Sequence, residues 1–417
     1  MFIRFLIVFI LITCVELYFL QALKTISVDY LPIKRKIILW IGYSLAACSI
    51  ILAGVALAYP PPNWPTLLRF ISSIFLILFL CKFIGIIFLI IDDVIRLFRW
   101  IAGKFQKAPS ETIENTGKEI SRLKFLSYIA VTFTVVPAIS FIYGMVRGAY
   151  KYKVHNVKVK SPNLPDAFDG FKIVQLSDIH CGSFMNTEPL VKAFNIVMDQ
   201  KPDAIFFTGD LVNNEVGETE PHLASYKMLK APYGVYSTLG NHDYGDYKTD
   251  WREGEKKANL EALKDVHAKS GWRLLMNEHV PIEKDGQKIA ILGIENWGGN
   301  LRFPRYGKLE NAHAGTELYP YKILLSHDPS HWDVQVSQEA KYNDIDLTLS
   351  GHTHGMQFGI EIPGFKWSPV QYFYKHWAGL YKQENQYLYV NRGLGFLGYP
   401  GRLGIWPEIT VIELVKA

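Results

Sequence analysis

Five short stretches in the later part of the chain end in side chains that bind divalent metals. They are Lys172–His180 (KIVQLSDIH), Ala204–Asp210 (AIFFTGD), Gly234–Asp243 (GVYSTLGNHD), Lys322–Asp328 (KILLSHD) and Asp344–His354 (DIDLTLSGHTH). Neutral imidazole and carboxylate suit ions such as Mn, Fe(II) and Zn. Two such ions about 3.5–4 Å apart can clamp the attacking and leaving oxygens of an in-line displacement at phosphorus. Asp178, His180, Asp210, Asn241, His327, His352 and His354 are more ligands than one ion needs, so two divalent ions are expected. His242 is left over beside Asn241, where it could protonate a leaving alkoxide or hold a phosphoryl oxygen.

Each of the five stretches begins with a run of four to six apolar residues, rich in Ile, Leu, Val and Phe and bounded by Gly, Asp or Ser. That length and bounding predict buried strands rather than helices. In open α/β sheets ligands bind beyond the carboxyl ends of the strands, so five strands ending in His, Asp and Asn point to one shared site. Helices are expected at Glu188–Gln200, Pro221–Lys230 and Gly254–Ser270, alternating with the strands. Further strands are expected at Tyr150–Lys160, Arg273–Val280, Lys288–Ile294, Gln386–Val390 and Glu408–Leu414, the second and third as a pair.

The blocks stand in this order as Asp178-Ile179-His180, Gly209-Asp210, Gly240-Asn241-His242-Asp243, His327 and Gly351-His352-Thr353-His354. In type and order they resemble the calcineurin-like metallophosphoesterases, over Tyr152–Ala417. With the apolar segments that precede them, the chain looks like the bacterial transmembrane group of that family. The resemblance implies an α/β fold, an αββα sandwich. It implies two ions, Mn first with Fe or Zn as alternatives. One would be held by Asp178, His180, Asp210 and His354, the other by Asp210, Asn241, His327 and His352, with Asp210 bridging. It also implies His242 as the catalytic acid, with Asp243 orienting its ring. Some relatives in this group are linked to cleavage of UDP-diacylglucosamine. One departure is Met356, which follows Gly355 where a second glycine is common and would narrow the pocket.

The other seven histidines (His155, His222, His267, His279, His313, His331 and His376) read as structural, and Asp328 as a turn or cap residue. Gly393, Gly395 and Gly398 match G-x-G-x-x-G in form, but no helix and return strand can follow in the remaining residues. They read as a tight loop near the site rather than a nucleotide cradle.

Residues 1–150 are of another physical class and are expected to be a membrane domain, with 151–417 the phosphoesterase domain. Four segments have the length of about 20 apolar residues needed to cross a bilayer, at 2–23, 37–59, 70–91 and 125–146. The first is too long and lacks the small-residue cleavage site of a signal peptide. Lys82, inside the third, is expected to snorkel or to face a neighbouring helix. Lys24, Lys34, Lys36 and Arg35 follow the first span, and seven Lys or Arg lie between the third and fourth, against Arg69 alone between the second and third. The positive-inside rule then places the catalytic domain outside the inner (plasma) membrane, although Arg147, Lys151, Lys153, Lys158 and Lys160 oppose that orientation.

The net charge of +5 hides a division. Residues 1–150 hold 15 basic and 7 acidic residues, leaving 29 and 32 in the rest. The catalytic part lacks the basic excess of a nucleic-acid binder, so no nucleic-acid partner is expected. Four cysteines, three of them in the spans, provide no disulfide framework. Two loops, 296–308 and 358–382, mix aromatic and basic residues and suggest a rim that meets membrane lipid. Arg302, Arg305, Arg392 and Arg402 are candidates for a substrate phosphate or sugar. The expected function is hydrolysis of a phosphomonoester, phosphodiester or pyrophosphate in a lipid-linked or amphiphilic substrate, with UDP-diacylglucosamine glycolipid as one instance if the domain faces the cytoplasm. The alternative is a membrane sensor or scaffold that binds a phosphorylated ligand without turnover.

Overall fold

The computed structural model describes residues 2–58, 66–105, 121–299 and 303–417. The chain separates into two compact units, Met1–Tyr143 and Gly144–Ala417. Helices α1 (Phe2–Ile26), α2 (Pro32–Ala58), α3 (Thr66–Phe105) and α4 (Arg122–Val146) match the four expected spans and are long and apolar enough to cross a membrane. The end of the second expected span at Tyr59 and most of the polar stretch 103–122 lie outside the described residues.

At 40 residues, α3 runs well past its expected end at Ile91. Its rise of about 1.5 Å per residue makes it about twice as long as the roughly 30 Å hydrocarbon layer. The extension mixes charged with exposed apolar residues, with Asp92 paired to Arg96 (3.0 Å) and Arg122 (2.9 Å) and Leu97, Phe98 and Trp100 exposed. Within the span, Lys82 faces α1, and its ammonium lies 2.5 Å from Glu16 Oε2, both side chains being buried. That pairing satisfies two charges that lipid could not solvate.

The second unit is built on two six-stranded sheets. The first contains β1 (Lys153–Ser161), β2 (Lys172–Leu176), β3 (Ala204–Phe207), β4 (Val235–Ser237), β5 (Trp272–Leu274) and β14 (Glu408–Lys416), in the order β1-β14-β2-β3-β4-β5. The second contains β6 (Glu278–Lys284), β7 (Gln287–Gly293), β8 (Lys322–Leu325), β9 (Leu347–Ser350), β12 (Gly379–Gln383) and β13 (Gln386–Val390), in the order β12-β13-β9-β8-β7-β6. A separate hairpin pairs β10 (Ile360–Ile362) with β11 (Phe365–Trp367). Helices α5 (Glu188–Asp199), α6 (Leu223–Tyr226), α7 (Glu255–Lys269) and α8 (Leu309–His313) complete the unit.

Side-chain alternation explains the layering. Ile173, Ala204 and Phe206 of the first sheet share one core with Ile323, Leu325, Leu347 and Leu349 of the second. Their neighbours Val174, Ile205 and Phe207 point the other way, onto Leu190, Phe194 and Val197 of α5 and Leu263 of α7. Leu324, Leu388 and Val390 likewise pack with Leu309 and Ala312 of α8. A strand buried on both faces reads as a continuous apolar run, which is why these strands were legible. The stretch Arg273–Val280 is not a single strand, although its end, Glu278–Val280, does pair antiparallel with Ile291–Gly293 as expected. It divides between the sheets, with Trp272–Leu274 at the edge of the first and Glu278–Lys284 starting the second, and Asn277 at φ 60° turns the chain between them. The middle helix is also shorter than expected, because Val216–His222, which includes Pro221, is 3₁₀.

His267 on α7 is structural, as expected. It is fully buried, with Nδ1 2.9 Å from Ser237 Oγ and no partner for Nε2 among the described residues. Burial pushes its pKa down to about 3, below its ordinary value of about 6.5. The unfolded chain therefore takes up this proton first, and the stability present above pH 6.5 is lost as pH falls toward 3. The slope is about 1.4 kcal/mol per pH unit, or about 2 kcal/mol between pH 6.5 and 5. Urea unfolding of chelated protein at pH 7 and 5 is expected to show a loss in the wild type that is smaller by about this amount in His267→Phe, the other buried histidines contributing equally to both. Equal losses in both would contradict it.

Candidate metal centre

The three parallel strands β2, β3 and β4 end side by side in the first sheet, as β8 and β9 do in the second. Asp178 and His180 follow β2, Asp210 follows β3, Asn241 and His242 follow β4, His327 follows β8, and His352 and His354 follow β9. The ladders continue past the strand ends, with Asp178 N donating to Gly209 O (2.9 Å), His180 N to Asp210 O (3.1 Å) and Gly351 N to His327 O (2.9 Å). Between the sheets beneath the site, Gln175 Nε2 donates to Ser350 O (2.9 Å) and Thr208 Oγ1 (3.2 Å).

Two groups of metal-binding atoms form, each gathered within 4.8 Å: Asp178, His180 and His354, and Asp210, His327 and His352. In the first, His354 Nε2 lies 3.1 Å from His180 Nε2 and 3.2 Å from Asp178 Oδ1. In the second, His352 Nδ1 lies 2.8 Å from Asn241 Oδ1. Asp210 Oδ2 stands between the groups, 3.5 Å from His180 Nε2 and 3.1 Å from His327 Nε2. Ligands about 2.1 Å from one ion are separated by about 3.0–3.4 Å at octahedral or tetrahedral angles, the range of the His354–His180, His354–Asp178 and His327–Asp210 spacings. His327 Nε2 is buried and, among the described residues, has no well-formed hydrogen bond, with Asp210 Oδ2 3.1 Å away, a position in which a metal could bind both.

The backbone is strained where the candidate ligands sit. Asp178, His180, Asp210, His352 and His354 all have positive φ, between 46° and 70°. Non-glycine residues rarely adopt this region, at a cost of about 1–3 kcal/mol each, and such outliers cluster at functional sites. Close approach accounts for two of the motif glycines. A Cβ on Gly240 would come within 2.2 Å of Asp210 Oδ1, and one on Gly351 within 2.2 Å of Asp178 Oδ2.

Hydrogen bonds outside the two groups set the rings. His327 Nδ1 lies 2.7 Å from Thr208 O, to which it donates, so Nε2 is the nitrogen turned toward Asp210. Asn241 Nδ2 donates to Tyr247 Oη (2.8 Å), turning Oδ1 toward His352. His352 Nε2 meets Tyr374 Oη at 2.7 Å and Asp328 Oδ2 at 3.6 Å. Asp328 does cap a turn, its Oδ1 accepting from Ser330 N (2.9 Å), while its buried Oδ2 has no hydrogen bond. Burial would raise the Asp210 carboxyl, but the neighbouring His327 and His242 rings hold it well below the usual range. Burial pushes His180 down to about 3, keeping its lone pair free.

His242 belongs to neither group. Its backbone N donates to Asp210 Oδ1 (2.9 Å), and its Nδ1 donates to Asn213 O (2.7 Å), leaving Nε2 free of that bond. The expectation that Asp243 orients this ring is corrected by the structure. The Asp243 carboxylate accepts from the backbone N of Gly240, Asp210, Leu211 and Val212 at 2.8–3.3 Å and so fixes the loops instead.

The arginine candidates are corrected too. Arg402 is fully buried, with its guanidinium on the carbonyls of Arg392, Gly393 and Gly395. Arg392 is held by Glu408 and Glu361, each at 2.5 Å. Arg305 bonds to Gly298 O and Gly299 O and stacks on Trp297. None of the three is free for a substrate phosphate, and Arg302 lies outside the described residues. The expected glycine loop does approach the site, with Gly395 N donating to Asp178 O (2.8 Å).

A cavity of about 370 Å³ opens over the centre. Its lining combines the polar side chains of His180, Asp210, Asn241, His242, His352 and His354 with Phe303, Met356, Val370, Phe373, Tyr374 and Leu397. Tyr374 and Tyr247 were missed in the sequence, where nothing separates a tyrosine that bonds a ligand from one that covers a sheet.

Two family models match the chain: a probable calcineurin-like phosphoesterase transmembrane domain over residues 2–149, and a calcineurin-like phosphoesterase domain over residues 171–356. A transmembrane protein with a metallophosphoesterase domain from Danio rerio is 32% identical over 68% of this chain, which spans 62% of that relative's length. The metallophosphoesterase YkuE of Bacillus subtilis (strain 168) is 31% identical over 65% of this chain and 89% of its own. The phosphodiesterase YaeI of Escherichia coli (strain K12) is 26% identical over 71% of this chain and 100% of its own.

Proposed function

Because this chain belongs to the calcineurin-like phosphoesterases and carries four apolar helices able to cross a membrane, we propose that it is a membrane-anchored, two-metal hydrolase of phosphoric esters in amphiphilic substrates. The observation that carries this reading is Asp210 Oδ2 standing within 3.5 Å of His180 and 3.1 Å of His327, one carboxylate oxygen facing both groups of candidate ligands.

Asp178, His180 and His354 would hold one ion, Asn241, His327 and His352 the other, and Asp210 both. Ions bound there supply Lewis acidity toward phosphoryl oxygens and a nucleophile at neutral pH. The chain's own groups do the rest. Asn213 O holds the His242 Nδ1 proton, so Nε2 is the nitrogen that carries a proton to the leaving oxygen. Tyr247 keeps the Asn241 oxygen turned to the centre. Phe303, Phe373 and Leu397 add apolar surface to a lining that also holds the metal-binding side chains, which suits a phosphate joined to an apolar group. A diester is the first choice of bond, in line with the printed name of the Escherichia coli relative.

The charge of the loops between spans supports an extracytoplasmic catalytic unit and hence an envelope phospholipid or pyrophosphate rather than a cytoplasmic UDP-diacylglucosamine glycolipid. An active alkaline-phosphatase fusion after Lys107 would reverse that assignment. For the activity itself, Mn added to chelated, detergent-purified protein is expected to restore hydrolysis of bis-p-nitrophenyl phosphate or p-nitrophenyl phosphate. Protein that holds two ions per chain and cleaves no monoester, diester or pyrophosphate of a broad panel would overturn it.

A further inference from the structure

The hairpin of β10 and β11 is turned inside out. Ile360 pairs with Trp367, Glu361 with Lys366 and Ile362 with Phe365. Pro363 and Gly364, the latter at φ 79°, form the turn between them, the residue types and φ that a type II turn requires. Directly paired residues, and residues two apart, share a face. Ile360, Ile362, Phe365 and Trp367 therefore lie on one face, and Glu361 and Lys366 on the other. Antiparallel strands at a protein surface ordinarily keep the apolar face in and the polar face out. Here Glu361 reaches in to Arg392 (2.5 Å), and Lys366 returns its ammonium to the Ala378 carbonyl and the Trp377 ring. The apolar face is the outer one, with Ile360 49%, Ile362 59% and Phe365 52% exposed.

The patch continues into the following turn. Trp367 Nε1 lies 3.5 Å from Tyr372 Oη, and Tyr372 and Phe373 are 73% and 75% exposed. Phe373 is also part of the cavity wall over the candidate metal centre. Lys375 stands exposed beside it.

We propose that this hairpin and the Tyr372–Phe373 turn insert into the lipid surface of the bilayer that the chain's own spans cross. Three observations select lipid as the occupant. The chain carries four candidate spans, so a bilayer is always at hand. The residue set, aliphatic and aromatic side chains edged by lysine, is that of a membrane interface. The patch runs without a break into the catalytic cavity, so an amphiphile leaving the bilayer along it would arrive with its phosphate at the metal-binding side chains. Only that last consequence rests on the proposed hydrolase activity. Insertion does not.

The test uses the full chain in phosphatidylethanolamine–phosphatidylglycerol nanodiscs, with Cys14 and Cys48 replaced by Ser and one spin label at Ile362→Cys. The label is expected to be more accessible to oxygen than to a water-soluble nickel chelate. The reverse is expected at Leu318→Cys, an isolated site that is 92% exposed. In a second background, Ile360→Ser with Phe365→Ser, a label at Tyr372→Cys should shift from the oxygen-rich to the chelate-accessible pattern. These readouts do not depend on turnover, so they separate failure of insertion from failure of the hydrolase reading. A label at 362 as open to the chelate as one at 318, or one broadened by a label on a second copy, would overturn the proposal.

Discussion

His242→Ala is expected to keep both ions and lose turnover by roughly 10²–10⁴-fold, the range for removal of a positioned general acid. The ring contributes to neither group of candidate ligands, so metal content should stay at the wild-type level. The loss should also depend on the leaving group. p-Nitrophenolate departs with little need of a proton, whereas an alkoxide does not, so the defect should be smallest on p-nitrophenyl esters and largest on alkyl esters. Metal per chain by mass spectrometry and turnover on both ester classes decide the matter. An equal defect on both would argue against proton donation, and loss of metal would show that the ring supports the centre instead. Asn213 has a part in the same prediction, because its carbonyl, not the Asp243 carboxylate, fixes the His242 tautomer.

Asp210→Asn should be more damaging and in a different way. The substitution keeps the shape of the side chain but removes the carboxylate whose one oxygen faces both groups, with His180 at 3.5 Å and His327 at 3.1 Å. Neither group is then complete, and hydrolysis is expected to fall to background with both ions lost or greatly weakened. The loop itself should survive, since its backbone amides are held by Asp243. The variant should therefore fold, and its melting temperature should no longer rise when Mn is added, whereas binding to the native state raises that of the wild type. A variant that still binds two ions per chain and turns over substrate would remove Asp210 from its proposed role.

The strands were legible because Ile173, Phe206, Leu324 and their neighbours are buried on both faces and leave continuous apolar runs that end on polar side chains. The convergence of seven candidate ligands followed from those strand ends. What could not be read is how each side chain is used. Arg392 and Arg402 lie in a glycine-rich loop beside the site, where a guanidinium facing phosphate and one facing carbonyls leave the same trace in a sequence. Asp243 adjoins His242 in the chain, yet the turn that places the ring over the cavity sends the carboxylate back to the amides of residues 210–212. The left-handed backbone at Asp178 and His352 has no signal of its own, because residue type alone would have suggested glycine or asparagine there. Asp328 shows the limit from the other side, for it caps a turn as expected while its second oxygen faces His352.

The Glu16–Lys82 pair bears on how this protein is made. The chain emerges from the ribosome amino end first, so α1 is complete while its counter-ion is still 66 residues away. A lone charge at the centre of a helix costs about 2.5–3.5 kcal/mol on insertion scales, against which α1 has only its own apolar residues until α3 arrives.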